Sequence, residues 1–291
     1  MSVNVTGDEK ALPGVRTISV ARFQNRSAAE GLDRVAVEEP LEIQLGFGAD
    51  GARQHRSISV TMRTPGDDFD LAAGFLFTES VIGSPNDIQS IAYCGDPSRP
   101  GFGNTVRVEL RPPVRFDPAL LERHFYTNSS CGVCGKSSIE AVHAARTIAR
   151  PASGPLHSSV IHTLPGAARQ SQQIFESTGG LHASALFSAD GQLVLLREDV
   201  GRHNALDKVI GSLLLENRLP LDGHILLVSG RVSFELVQKA LMAGIPALAA
   251  VGAPSSLAIE LARTYGMTLI GFVRDGRFNV YCGQERIVES R

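Results

Sequence analysis

From residue 183 to residue 281 the chain alternates short apolar runs with stretches of helical periodicity, and few folds accept that order. Residues 183–188 and 193–196 flank Asp190-Gly191, a strong hairpin signal. Leu206, Val209, Ile210, Leu213 and Leu214 then recur at helical spacing on one face. Residues 225–228 are too few for a helix and read as a buried strand. Ser233 can cap the next helix, which turns Val237 and Leu241 inward and stops at Gly244. Residues 247–251 form another strand, and a helix from about Ser255 ends at Gly266. Residues 267–273 are again a strand, which Asp275-Gly276 turns back toward residues 278–281. Strands separated by helices predict an α/β unit with a largely parallel sheet and helices on its faces.

The preceding chain reads differently. Residues 1–30 are polar and aperiodic and are expected to be a flexible arm. Residues 35–45 suit a strand broken by Pro40, and residues 57–62 alternate as a half-buried strand. After a Pro65-Gly66 turn, Asp67 or Asp68 can cap a helix through Leu71, Phe75 and Leu76. Residues 106–110 are a strand closed by Pro112-Pro113. The expected division is an arm over 1–30, a small α+β domain over 31–115 and a second domain over 116–291. Within the second domain, Ser137 and Glu140 have capping-box spacing and should start a helix through Ala141, Ala144 and Ala145. Residues 151–165, rich in Pro, Ser and Gly, are expected to be a linker or surface loop.

Hydrophobic residues make up 43% of the 291, enough for a sizeable core. The formal net charge of -2 argues against charge-driven binding of nucleic acid, though not against a local basic pocket. The first residues lack an apolar signal core and no run is long enough to span a bilayer, so a cytoplasmic protein is expected. In a reducing compartment the four cysteines should not be structural disulfides. Cys94 and Cys282 stand alone, whereas Cys131-Gly132-Val133-Cys134 is a C-x-x-C motif.

Thiol chemistry runs through the thiolate. The helix expected to start near Ser137 would place its positive end close to Cys134, and Lys136 adds a formal charge. Gly132 and Gly135 let the loop approach a large partner, and two thiols within one turn allow one to displace sulfur held on the other. Half of a structural zinc site is the rival reading. It lacks a second C-x-x-C, although His157 and His162 do have an H-x₃₋₅-H spacing. A zinc nucleobase deaminase would need H-x-E and P-C-x-x-C; Ser130 precedes Cys131 and none of the eight histidines has Glu two residues on. A thioredoxin-like redox role is weakened because no expected strand leads directly into the motif.

Four other segments carry candidate function. Thr178-Gly179-Gly180-Leu181-His182 suits a tight loop near a ligand, or a plain turn. Glu198-Asp199-Val200-Gly201-Arg202-His203-Asn204 lies at a strand-to-helix junction that could line a crevice; the alternative is Asn204 as a helix cap with a local Asp199–Arg202 ion pair. Ser229-Gly230-Arg231-Val232-Ser233 could hold a phosphate but is not a Walker loop, and Pro254-Ser255-Ser256 repeats its position at the next crossover. Arg202, Arg231, Arg274 and Arg277 could together make an anion site; a solvated hairpin tip is the alternative for the last two.

The ordered set of motifs around Cys131, Thr178, Glu198 and Ser229, followed by Gly271-Phe272-Val273-Arg274, resembles the FdhD/NarQ family of formate dehydrogenase accessory sulfurtransferases over about residues 35–285. The resemblance implies a smaller N-terminal α+β domain and a C-terminal cytidine-deaminase-like three-layer domain, with the C-x-x-C loop at 128–136. It implies a homodimer that takes sulfur from a cysteine desulfurase and passes it to Mo-bis(molybdopterin guanine dinucleotide), bound as a client rather than held permanently, before formate dehydrogenase receives it. By motif, Cys131 would carry the persulfide and Cys134 would assist. Phe272, Val273, Arg274, Asp275, Gly276 and Arg277 would bind the cofactor, and no metal site of the protein's own is implied. Ser129 and Ser130 depart from the acidic residue expected before the first cysteine in many relatives. A non-enzymatic chaperone for the molybdenum cofactor is the alternative function.

Overall fold

The computed structural model describes residues 14–25, 27–98, 101–112, 114 and 154–289 of the chain. Two sheets carry the fold, joined by one apolar core. The first has the order β4-β3-β6-β5 and consists of β3 (Glu39–Phe47), β4 (Gln54–Arg63), β5 (Ile88–Tyr93) and β6 (Thr105–Leu110). Leu41, Ile43, Leu45, Val106, Val108 and Leu110 alternate onto its inner face, each fully buried. The helix α1 (Asp68–Thr78) covers that face. Asp67 stands at its N-cap, in a left-handed conformation and without a side-chain capping bond. The strand read over residues 35–45 is two elements: Pro40 lies near the start of β3, and the preceding strand ends at Ala36.

The second sheet has six strands in the order β13-β12-β11-β10-β8-β9. These are β8 (His182–Ser188), β9 (Leu193–Asp199), β10 (His224–Val228), β11 (Ala247–Ala250), β12 (Thr268–Arg274) and β13 (Arg277–Cys282). Only β10, β11 and β12 run parallel; β8, β9 and β13 join antiparallel. The expectation of a largely parallel sheet is therefore corrected to a mixed one. Two tight turns are the cause: the Asp190-Gly191 and Asp275-Gly276 hairpins can only lay each outer strand back against its predecessor.

Helices α4 (Arg202–Leu215), α5 (Phe234–Met242) and α6 (Ser256–Tyr265) pack one face of this sheet. α2 (Ser158–Ser171) packs the other, and α3 (Gln173–Thr178) follows it. Residues 158–165 thus belong to a helix where a loop was expected. Ile161, Leu164 and Ala168 are buried at helical spacing, and that burial holds α2 together although Pro165 lies inside it and lacks an N–H to donate. A short parallel pair, β7 (Leu156–His157) with β14 (Ile287–Val288), ties its start to the chain end.

Residues 15–24, expected to be part of a loose arm, are a strand. β1 (Val15–Gln24) pairs with β2 (Ser27–Ala36) as an antiparallel ribbon. Asn25 takes a positive φ of 51° at its tip. The domain boundary placed at residues 30/31 falls inside β2. No alternation of burial betrayed the ribbon, because most of its residues are exposed.

Helices α1 and α4 cross closely, bringing the two sheets into one body. A Cβ on Gly74 would lie 1.9 Å from the carbonyl oxygen of Asp207, and one on Gly211 would lie 1.8 Å from that of Asp70. Buried polar groups reinforce the crossing. Lys239 on α5 donates to both carboxylate oxygens of Asp207 on α4 (3.0 and 2.9 Å) and to Thr78 Oγ1 on α1 (2.7 Å), while Thr78 donates to Asp207 (2.9 Å). Arg63 is buried against Asp68 through two bonds of 3.0 and 3.1 Å.

Candidate functional site

Parallel strands followed by helices place each strand-to-helix loop at the strands' carboxyl ends, where open α/β sheets bind ligands. The antiparallel β8 begins at this same edge: Ser184 pairs with Val228, and Ser229 N donates to Ala183 O. His182 in turn pairs with Asp199 at the end of β9. Segments 179–182, 199–203, 229–233, 251–255 and 272–277 therefore gather along one edge. α4, α5 and α6 all start there, with their first N–H groups and positive dipole ends.

Bare backbone lets these loops stack. Gly252 N donates to Gly230 O, Phe272 N donates to Gly252 O, and Val232 bridges Pro254. A Cβ on Gly252 would stand 2.8 Å from Gly230 O, so the approach excludes any side chain there.

The four arginines do share this edge. Arg231, Arg274 and Arg277 are exposed, and Arg202 is half-buried with an Nε that has no hydrogen-bond partner among the described residues. Arg274 and Arg277 face each other across the Asp275-Gly276 turn, whose φ angles are 52° and 70°. Phe272 has a φ of 55° where the β12–β13 register shifts, and the Arg274 guanidinium lies 5.8 Å from its ring centroid. Val273 points the other way, buried in the core beneath α2. The edge thus offers guanidinium and main-chain donors to a multiply charged anion.

Two imidazoles stand among them. Burial, with Arg202 adding to it against Asp199, lowers the pKa of His182. Burial, then Lys239 and Arg202, lowers that of His203 to about 4, outweighing Glu235 and Glu79. His203 Nε2 lies 3.2 Å from Ser233 Oγ and 3.9 Å from Glu235. Both rings are neutral at physiological pH and add no charge to the arginines. The sequence reading gave these histidines no role; the only signal was their position in polar runs at strand ends.

The run from Glu198 proves to be half structural. Its two carboxylates, adjacent in sequence, leave β9 on opposite sides. Glu198 accepts from the N–H groups of Ile174 and Phe175 (2.9 and 2.8 Å), holding the start of α3 and hence the loop to His182. Asp199 is fully buried and accepts from Lys208 Nζ (2.8 Å), Thr64 N (3.1 Å), Gly201 N (2.8 Å) and Asn204 Nδ2 (3.0 Å). The Asp199–Arg202 pair is corrected to Asp199–Lys208, because Lys208 lies on the inner face of α4 while Arg202 sits at its outer start. Asn204 is not the cap; Gly201 is, and Asn204 also donates to Met62 O (2.8 Å). Ser233 and Ser255 do stand at the N-caps of α5 and α6, but only Ser255 makes the side-chain bond, from Ala258 N.

Cys131 and Cys134 lie outside the described residues, as do the Ser137–Glu140 spacing and the boundary at 115/116. Cys94 is half-exposed, and the buried Cys282 donates to Met267 O, its thiol pKa raised by burial. Of the histidines weighed as zinc ligands, His157 is exposed and His162 packs on Phe278 with ring centroids 4.9 Å apart. Among the described residues no three His, Cys, Asp or Glu side chains are grouped to hold a metal, and no helix is long and apolar enough to cross a membrane.

Comparison with known proteins gives this edge a context. Residues 36–288 match the model of the FdhD/NarQ family. The sulfur carrier protein FdhD of Streptomyces coelicolor is 49% identical over 272 residues, covering 92% of this chain and 94% of that protein. Its namesake from Mycobacterium tuberculosis is 46% identical over 276 residues, 91% of this chain and 97% of that one. The crystal structure of a putative formate dehydrogenase accessory protein from Desulfotalea psychrophila superposes with a TM-score of 0.72 at 28% identity, over 95% of this chain and 100% of that one. The order of the motifs, the mixed α/β fold and these matches agree: the chain belongs to the FdhD/NarQ family.

Proposed function

We propose that this protein is a sulfur carrier acting as a sulfurtransferase, which moves sulfur from a cysteine desulfurase to Mo-bis(molybdopterin guanine dinucleotide) before formate dehydrogenase receives the cofactor. The observation that carries this reading is the 49% identity, over nearly the whole chain, to a protein named a sulfur carrier. The anion-accepting edge supports the second half: a guanine dinucleotide brings phosphates, and Arg274, Arg277, Arg202 and Arg231 are the groups to meet them. Phe272, Asp275 and Gly276 shape the turn that carries two of these arginines, and Val273 anchors it from the core. We read the six-stranded unit as cytidine-deaminase-like, the first sheet as a smaller α+β domain, and the protein as a cytoplasmic homodimer.

In the first step the Cys131 thiolate attacks the sulfane sulfur of the desulfurase persulfide. A new S–S bond forms on Cys131, and the donor cysteine leaves as thiolate. Cys134 then assists release. Its thiolate attacks Cys131 Sγ, forms a Cys131–Cys134 disulfide and expels the terminal sulfur as hydrosulfide, so the dithiol itself supplies the two electrons. A cellular thiol reductant restores the pair. The cofactor is the substrate that accepts the sulfur; the protein's part is to hold its phosphates at the strand ends.

Mass spectrometry after incubation with a cysteine desulfurase and cysteine tests the first step. Cys131 gains one sulfur atom. Gain at Cys134 alone reverses the two roles, and gain at neither overturns the carrier reading. The second reading, a cofactor chaperone, predicts that Cys131→Ala still yields active formate dehydrogenase; the carrier reading predicts that it does not.

A further inference from the structure

The two imidazoles among the arginines of the candidate edge have nitrogen atoms to spare. His182 starts β8 with its ring against Gly230, where a Cβ would come within 3.2 Å of Nδ1. Neither of its nitrogens has a hydrogen-bond partner among the described residues. His203 is the second residue of α4, and its Nε2 lies 3.2 Å from Ser233 Oγ. Ser233 gives its hydroxyl hydrogen to the Glu235 carboxylate, so its oxygen can only accept from the ring. Nε2 therefore carries the hydrogen of the neutral imidazole, and Nδ1 keeps an open lone pair.

Charges of both signs surround each ring. Arg202 from the start of α4 and Asp199 from the end of β9 face His182; burial and the arginine outweigh the carboxylate. Lys239 and Glu235 from α5, Arg202 from its own helix and Glu79 at the end of α1 face His203; burial and the two cations outweigh the two acids. One more negative charge tips such a balance. A diphosphate on the edge supplies it in a place that water screens poorly, where attraction is several-fold stronger than in bulk water. It also offsets Arg202, the cation that works against both rings and whose Nε has no partner among the described residues. A counter-ion for His203 is already in place. Burial works against the Glu235 carboxylate, but the Ser233 hydroxyl and its own N–H hold its pKa below the usual range, and it lies 3.9 Å from His203 Nε2.

We propose that His182 and His203 each accept a proton from solvent when a diphosphate settles on this edge, so that the site gains positive charge only as its ligand arrives. The inference rests on the anion-binding half of the reading above. The empty edge is spared the repulsion of two further cations beside its arginines, and the occupied edge gains two charged donors. A ring that is neutral in the free protein and protonated in the complex makes binding tighter as pH falls. Affinity is lost as pH rises through the midpoint of the occupied ring, and levels off above it.

Calorimetric titration of the full chain with the symmetrical guanosine diester of diphosphoric acid is the measurement, because that ligand has no proton of its own titrating near neutrality. Repeating it in buffers of different ionisation enthalpy counts the protons moved. At about pH 6 each copy should take up about one proton or more, and affinity should fall about tenfold between about pH 6 and pH 8. His182→Gln and His203→Gln should each remove part of the uptake, and the double variant should bind equally at both pH values. In the saturated wild type, NMR signals of the ring Cε1–H groups should move to their charged positions. Binding without proton uptake, or uptake that persists in the double variant, overturns the inference and leaves the anion edge intact. Should the double variant misfold, the wild-type rings still decide: imidazoles that stay neutral in the occupied protein refute it. No binding at all overturns the edge and the inference together, and neither result touches sulfur transfer through Cys131.

Discussion

Replacing Lys239 by Met removes the cation that Asp207 was buried to meet. Asp207 is 2% exposed and Lys239 6%, so neither charge has water to fall back on. The wild-type carboxylate accepts two bonds from the ammonium and one from Thr78. Without Lys239 only the Thr78 bond remains. Breaking a buried pair from one side costs about 3–5 kcal/mol, mostly as the stranded charge. Met fills much of the same volume, so little of this loss is a cavity. Burial already pushes the Asp207 carboxyl up, with Lys239 pulling against it. Burial on its own would lower the Lys239 ammonium, but Asp207 and Glu79 more than offset it and raise it. In the variant the Thr78 hydrogen bond is left to oppose the carboxyl's rise. A carboxyl whose pKa is higher folded than unfolded binds more protons in the native state, so stability falls as pH rises through the folded value and returns on acidification. Urea unfolding should therefore show a deficit of about 3–5 kcal/mol at neutral pH that shrinks toward about pH 5. Adding Asp207→Leu should recover most of it, since two apolar groups in place of a buried pair are close to neutral. A neutral-pH loss below about 1 kcal/mol, or a deficit that does not shrink with acid, would refute the view of Asp207 as a charge held by Lys239.

Two further outcomes follow from geometry. Gly211→Ala drives a methyl to 1.8 Å from Asp70 O, which only separation of α1 from α4 relieves; thermal unfolding should show a loss of about 3 kcal/mol or more, against a gain of about 1 kcal/mol if helix propensity alone acted. His203, lowered to about 4, should stay neutral in an NMR titration down to that pH. The unfolded chain takes its proton near 6.5, so this ring's contribution to stability is present above that value and is lost as pH falls toward 4; an ordinary titration near 6.5 would remove it from the set of buried neutral groups.

Much of the six-stranded unit was legible because its strands are short, apolar and punctuated. Asp275-Gly276 takes the positive φ angles that its composition promises, and Gly266 ends α6 at a φ of 72° as read. Pro165 misled, since proline outweighed the buried trio Ile161, Leu164 and Ala168. Strand direction was overgeneralised from the crossovers to strands that hairpins control. The candidate edge was visible as separate glycine and arginine runs. Their meeting on one edge needed the topology, and the partners of the buried lysines needed the packing: Lys208 bonds to Thr64, 144 residues away in sequence. The ribbon was illegible for a physical reason. Pattern reading detects burial, and most residues of this element are exposed.

The adjacent carboxylates of β9 make strand register act as an address. Glu198 serves the layer that carries α3, and Asp199 serves the layer that joins the first sheet. Deleting one residue between positions 193 and 197 would preserve composition, charge and hairpin almost unchanged, yet exchange the two addresses. Both attachments would be lost together through a change that removes neither acid. A chain built this way tolerates substitutions along β9 far better than any change in its length.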